Sequence, residues 1–352
     1  MNIAHVFAHA ATNLGDIYLK DATQQAFASI FPGARFTPVE TRKIYTQRDV
    51  DDLNAHDLVV IGGGGLLLRD TFPNDVSDWQ WGCSVELMER IHSPIAVYAI
   101  GYNRFRGQED FAHPLFDRHI GTLLRKSIFF SARNTGSVNA IRRYVPEGLG
   151  EKIALNHCPS MLYPRADLDR KAGTRRVGLL LAGDRLHLRH GQPDVFARRV
   201  AALMKDLSSQ SEIHVVAHQP HDLWYMDAMK DVPHTFVDLI GKSTAEAAAL
   251  YGSLDVMIGD RGHAQMIPFA LGCRIVSLVS HDKLQWFLDD MGLPEFGVEE
   301  SDPELVEKVL ALVHPAAGDD YAERRVAALR AMSLNSDRNL SLIRGLVPAR
   351  AA

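Results

Sequence analysis

Cysteine is scarce in this 352-residue chain: Cys83, Cys158 and Cys273 are odd in number and widely spaced, with no CxxC pair and no Cys/His ligand spacing. That argues against both a disulfide framework and a zinc site, and a reducing compartment is expected. Long apolar runs are missing too. No stretch approaches the ~18 apolar residues of a membrane span. The opening Met-Asn-Ile-Ala-His-Val-Phe lacks the cationic leader and apolar run of a signal peptide, and reads as a strand. Neither sign of charge dominates: 38 basic residues against 43 acidic ones give −5, which argues against a general nucleic-acid binder. No internal repeat or low-complexity segment is visible. What is present, 46% hydrophobic and 23% charged residues, has the proportions of a soluble globular protein, and a cytoplasmic location is expected. The length suits two domains of ~150 residues each. Most of the sixteen histidines stand singly, as His5, His9, His56 and His92 do, and read as surface or core residues.

Short apolar runs alternate with helical patterns. Strands are expected over residues 3–8, 35–39, 57–61, 95–100 and 127–131, the third ending in Gly62-Gly63-Gly64-Gly65, with helices over 13–30 and 84–91. A polar, charged break at 163–176 reads as a linker. The rhythm then restarts with strands over 176–182, 212–218, 235–238, 256–258 and 274–278. Helices are expected over 194–208, 222–230 and 244–251, the last behind the capping box Ser243-Thr-Ala-Glu246, and from 264 and 283 onward. The fold class is therefore α/β: two Rossmann-like domains facing a cleft, residues 1–165 on the acceptor side and 175–320 on the donor side. Residues 321–352 form a C-terminal helix long enough to cross back over the first domain. A ligand belongs at the carboxyl ends of both sheets, which are the junctions 8–16, 62–69, 100–106, 131–137, 182–187, 218–221, 259–263 and 280–283.

Those junctions hold the unusual polar residues. Thr12-Asn13-Leu14-Gly15-Asp16 opens the first helix, where backbone N–H groups attract anions or hydroxyls and Asp16 caps the helix or accepts from a sugar. Gly62–Gly65 permits close backbone approach, yet it is neither a GxGxxG fingerprint nor a Walker loop. Arg133 either overhangs the cleft or pairs with a surface carboxylate. Cys158 lacks the His/Asn company of a thiol nucleophile, and Pro159 suggests a rigid turn. The richest stretch is Asp260-Arg261-Gly262-His263-Ala264-Gln265, followed by Ser280-His281-Asp282-Lys283. Arg261 suits bidentate binding of carboxylate or phosphate, and His263 suits proton donation near neutrality. Gln265 adds a neutral donor and Lys283 a point charge for phosphate.

The ordered set Asn13-Leu-Gly15-Asp16, Val-Val-Ile-Gly-Gly-Gly-Gly65, Gly101-Tyr-Asn103, Ser131-Ala-Arg133 through Ser137, Cys158-Pro159-Ser160, Arg261-Gly-His263 and Ser280-His-Asp-Lys283 resembles the polysaccharide pyruvyl transferase family over about residues 10–295. The resemblance implies a GT-B-like fold, phosphoenolpyruvate as co-substrate with no cofactor or metal, and a sugar or lipid-linked glycan acceptor. It also implies that Arg261 and His263 match the family's Arg-x-His donor motif. The family often has Leu where this chain has Gly262, and many members have Asp-Pro where it has Cys158-Pro159. On this reading His263 is the acid and Asp16 the acceptor-side base. Arg261, Lys283, Arg133, Gln265 and Ser280 hold the donor; Asn13, Gly63, Gly64 and Asn103 hold the acceptor. The product is a pyruvate ketal for exopolysaccharide, made in peripheral association with the assembly machinery. The alternatives are a GT-B glycosyltransferase using a nucleotide sugar and a non-catalytic glycan-binding subunit.

Overall fold

A computed structural model of the chain describes residues 1–9, 12–162, 173–314 and 317–348. Six parallel strands build the first sheet: β1 (Asn2–Phe7), β2 (Arg35–Glu40), β3 (Leu58–Leu67), β4 (Ile95–Tyr102), β5 (Ser127–Ala132) and β6 (Ile153–Leu155), in the order β2-β1-β3-β4-β5-β6. Six more build the second: β7 (Arg175–Leu180), β8 (Ser211–Ala217), β9 (Thr235–Asp238), β10 (Val256–Gly259), β11 (Arg274–Val279) and β12 (Gly297–Glu299), ordered β12-β11-β10-β7-β8-β9. Chain order reverses between β1 and β3 in one sheet and between β7 and β10 in the other. The loops after those four strands splay apart and leave a crevice at each sheet's carboxyl edge.

The strand expected to stop at Ile61 runs on through all four glycines to Leu67. A Cβ on Gly63 would lie 2.3 Å from Thr23 Oγ1, so the missing side chain lets the helix Leu14–Ile30 close on β3. Most of the expected linker, residues 163–172, lies outside the described residues, as do residues 10 and 11 of the first junction and 349–352 at the C-terminus; Arg175 and Arg176 already belong to β7. The helix expected over 222–230 is two short turns, Pro220–Leu223 and Met226–Met229. The capping box at Ser243 and Glu246 forms as its spacing predicts.

Separate apolar clusters pack the two sheets, but a third crosses between them. Leu14, Tyr18 and Leu19 meet Cys158, Met161, Met257, Met266 and Phe287 beneath the crevice. The helix Tyr321–Leu346 starts on the second sheet, where the Tyr321 hydroxyl donates to Cys273 O at 3.1 Å. It ends on the first, with Asn339 Nδ2 donating to Leu155 O at 2.9 Å and Leu340 and Ile343 packed among Ile3, Phe27 and Tyr98. Among the described residues no helix is long and apolar enough to cross a membrane.

Candidate active site

The two carboxyl edges enclose a hollow of about 330 Å³, near the small end of the ~300–1,000 Å³ typical of ligand sites. Its charge is one-sided: Arg42, Arg133, Arg185, Arg189, Arg261 and Lys283 line it, against the carboxylates of Asp16 and Asp184 alone among the described residues.

The N-terminal wall begins at the first helix, where Asn13 caps the end by accepting from Gly15 N at 3.1 Å and donates its amide to Asp16 Oδ2 at 2.9 Å. Burial raises the Asp16 carboxyl above its ordinary range, opposed first by Arg42, then by Arg261. Next to it, two guanidinium groups share one anchor. Gln80, buried, donates to Gly65 O at 3.0 Å and accepts from Arg42 Nε at 2.8 Å. Asn103 donates to the same carbonyl at 3.2 Å and accepts from Arg133 Nη2 at 2.8 Å. A Cβ on Gly101 would lie 2.3 Å from Arg133 Nε, so the guanidinium rests on bare backbone. Among the described residues, neither guanidinium has a carboxylate within ion-pair distance, and burial lowers Arg133 from its usual value.

The C-terminal wall is organised around carboxylates instead. Asp184 pairs with Arg185, Arg189 and Arg261 at 3.2, 3.1 and 3.0 Å. Against the effect of burial, those cations hold its carboxyl far below the usual range. Arg261 also donates to Asp222, which is fully buried and accepts from Gly183 N, His218 N and Gln219 N at 3.2, 3.0 and 3.0 Å. Arg261 therefore enters the hollow already paired, with its Nε unpartnered among the described residues. Lys283 is the exception on this side. It has no ion pair among the described residues, and burial together with Arg133 and Arg189 pushes its ammonium well below the ordinary value. Phe105, from the loop after β4, covers the rim by stacking on His281 at 4.8 Å and receiving Arg189 over its ring at 4.8 Å.

His263 opens the helix His263–Ala270 and faces the first helix across the hollow. A Cβ on Gly15 would lie 2.3 Å from His263 Nδ1, so that glycine admits the imidazole. Burial, with Arg133 and Lys283 adding repulsion, holds His263 well below its ordinary value and therefore neutral near pH 7. Its Nε2 lies 3.9 Å from Cys158 Sγ. The thiol thus has a histidine neighbour in space that the sequence, 105 residues apart, gave no sign of.

Of the expected site residues, His263, Asp16, Arg261, Lys283, Arg133, Asn13 and Asn103 line the hollow. Four do not. Gln265 is turned into its own domain, where it accepts from Ser277 Oγ at 3.1 Å. Ser280 is buried beside His281 Nδ1 at 3.1 Å and outside the lining. Gly63 and Gly64 back onto Thr23 and Leu19 of the first helix, and only Gly65 reaches the hollow. The sequence motifs do not mark Arg42, Gln80, Asp184, Arg185, Arg189, Asp222 or Phe105 as site residues, though Arg42, Asp184, Arg185, Arg189 and Phe105 line the hollow with Gln80. Asp184, Arg185 and Phe105 fall within the strand-end junctions, so position alone marked them; Arg42 follows the edge strand and Gln80 sits in a long excursion after β3.

No protein with a curated description is detectably similar along the sequence. Solved structures are similar in fold. The UDP-GlcNAc 2-epimerase from Neisseria meningitidis bound to UDP-GlcNAc gives a TM-score of 0.58 at 10% identity, covering 97% of this chain and 99% of that one. MnaA from S. aureus with UDP gives 0.59 at 13% identity, covering 100% and 99%. HepE from Anabaena with UDP and glucose gives 0.57 at 11% identity, covering 98% and 98%. Identities this low establish the architecture alone, a two-domain GT-B α/β fold. The family model for polysaccharide pyruvyl transferase matches residues 13–282, from the capping Asn13 to the turn before Lys283. The chain belongs to the polysaccharide pyruvyl transferase family.

Proposed function

We propose that the chain moves the enolpyruvyl group of phosphoenolpyruvate onto a sugar of a polysaccharide or its lipid-linked precursor, closing a pyruvate ketal across two hydroxyls. The observation that carries this reading is that two basic groups with no ion pair among the described residues, the buried Arg133 and the half-buried Lys283, line the hollow beside a neutral His263. An unpaired buried guanidinium is costly, and a small ligand bearing a carboxylate and a phosphate offsets that cost and favours the charged form of Lys283. Arg261 contributes its remaining N–H groups while Asp184 and Asp222 fix its orientation. Three free thiols and the absence of a membrane-crossing helix among the described residues fit a cytoplasmic reaction next to an assembly complex.

The reaction balances without a cofactor. Protonation of the methylene carbon makes an oxocarbenium-like centre; one hydroxyl adds, phosphate leaves with the electrons of its C–O bond, and the second hydroxyl closes the ring. Of the two hydroxyl protons, one ends in the methyl group and the other on phosphate. His263 supplies the first proton, and Asp16, whose raised carboxyl is a stronger base than an exposed aspartate, takes one back from the acceptor. A neutral imidazole cannot act as an acid, but a bound trianion reverses the repulsion from Arg133 and Lys283 and lifts its proton affinity. The donor thereby switches on its own acid.

Phosphate release from phosphoenolpyruvate over a panel of glycans tests the activity, with UDP-sugars and glycans alone as binding controls. His263→Gln should lower turnover by ~10²–10⁴-fold, the span of general acid catalysis, with calorimetric donor binding nearly intact. Wild-type turnover in that variant removes the role. Nucleotide binding without phosphate release would instead indicate a glycosyltransferase, and glycan binding alone a non-catalytic subunit.

A further inference from the structure

The proposed donor accounts for Arg133 and Lys283 but leaves Arg42 unassigned. Arg42 is half-buried, has no ion pair among the described residues, and is aimed into the hollow by the Gln80 amide at 2.8 Å. Gln80 is itself only 2% exposed and is held by Gly65 O at 3.0 Å. The same carbonyl anchors Asn103 and through it Arg133. The wall thus offers two oriented guanidinium groups, one on each amide arm. They are electrostatically distinct. Arg133, Arg189, Asp184 and Arg261 are the chief charges acting on Lys283, whereas Arg42 leads those acting on Asp16, ahead of Arg261 and Arg133. Asp16 lines the same hollow as Arg42, Arg133 and Lys283.

Resting on the pyruvyl-transfer reading, we propose that Arg42 and Gln80 form an acceptor subsite for an anionic group, and that the sugar receiving the ketal carries or adjoins a carboxylate or phosphate. Asp16 orients the attacking hydroxyl while Arg42 clamps the negative group on the far side of that sugar. Arginine presents a planar fork that matches both anions, and fixing its Nε on an amide leaves the two terminal nitrogens to the ligand. A neutral acceptor would leave the two terminal nitrogens of this guanidinium without a directly bonded anion.

Three probes separate the sources of the anion: methyl β-glucuronide, glucose 6-phosphate and the neutral methyl β-glucoside, titrated by calorimetry with phosphoenolpyruvate present. At least one anionic probe should bind about tenfold or more tightly than the glucoside, the worth of one charge-assisted contact. Arg42→Gln should erase that preference, Arg42→Lys should keep part of it, and affinity for phosphoenolpyruvate should stay unchanged in both. Equal binding of all three probes overturns the proposal, as does an R42Q variant that weakens phosphoenolpyruvate instead. Binding is read without turnover, so the two ideas fail separately. A preference that persists without phosphate release counts against pyruvyl transfer; phosphate release with no preference counts against the subsite.

Discussion

The two walls of the hollow present arginines in opposite ways. On the C-terminal wall, Arg185, Arg189 and Arg261 are pinned by Asp184, Asp222 and, for Arg185, Asp70 at 2.7 Å. On the N-terminal wall, Arg42 and Arg133 are steered by the neutral amides of Gln80 and Asn103. A carboxylate positions a cation and cancels it; an amide positions it and leaves the charge available. The arginines of one wall are therefore neutralised in place, with Lys283 unpaired among the described residues, and those of the other carry no paired carboxylate among the described residues.

The sharpest way to break that contrast is to remove one anchor from each side. Asp222→Ala leaves Arg261 with Asp184 alone and strands three backbone N–H groups in a buried place, and should cost ~3–5 kcal/mol, the cost of breaking a buried ion pair. Asn103→Ala should cost about 1 kcal/mol, because Gly65 O keeps Gln80 as a donor, while donor affinity falls through the loosened Arg133. Urea unfolding of both variants, with and without phosphoenolpyruvate, reads the difference. Equal losses of stability would erase the distinction between the walls.

A second contrast lies behind the walls, in the buried histidines. Burial pushes His5 and His119 of the first unit down to about 4, each a neutral ring. His119 accepts from Trp79 Nε1 at 2.9 Å, which protonation would break. In the second unit burial disfavours charge on His190, but Asp260 at 3.4 Å and Glu300 outweigh it and lift the ring to about 9. The unfolded value for all three is 6.5. His190 therefore stabilises fully below pH 6.5 and loses its contribution as pH rises through about 9. His5 and His119 do the reverse: full stability above pH 6.5, lost as pH falls toward about 4. Each shift corresponds to about 3 kcal/mol. Trp79 and Trp224 lie 5.6 and 5.4 Å from His119 and His190, ring centre to ring centre, so fluorescence of variants keeping one or the other reports each unit. The first unit should loosen at acid pH and the second at alkaline pH; a shared pH response would refute the assignment.

How much of this was legible in the sequence follows the same division. Strand-and-helix alternation foretold both sheets, because buried parallel strands are continuous apolar runs and their ends are marked by glycine and polar residues. Strand-end logic placed Asp16, Arg133, Arg261, His263 and Lys283 at the hollow. It misassigned Gln265 and Ser280 because the side of a helix or loop a residue faces depends on packing; Gln265 follows the His263 turn but points back to Ser277. The four glycines read as a ligand loop, yet of the four only Gly65 lines the hollow, since Gly63 and Gly64 face the first helix and Gly62 faces the Tyr98 backbone of β4. Gln80 and Arg42 were invisible, because Gln80 sits in a long excursion after β3, Arg42 follows an edge strand outside the expected junctions, and the bond that joins them spans 38 residues of chain.

The smallest expected effect concerns the rim, where the walls meet across solvent. Arg106 donates to Glu299 at 2.6 and 2.9 Å and to Asp282 at 3.1 Å, bridging the two units with a fork about half exposed. Its geometry is as good as that of the buried pairs, but water screens it, and exposed pairs are worth ~0.2–1 kcal/mol. Arg106→Ala should therefore lower stability by no more than about 1 kcal/mol, and the gap from wild type should close in ~1 M salt, where screening reaches ~3 Å. The Asp222 variant should keep its deficit in the same salt, since a buried pair is screened far less. If salt rescues neither variant, Arg106 belongs with the carboxylate-pinned arginines of the interior. If salt rescues both, the C-terminal wall is wetter than its burial implies and its arginines are as available to a ligand as those opposite.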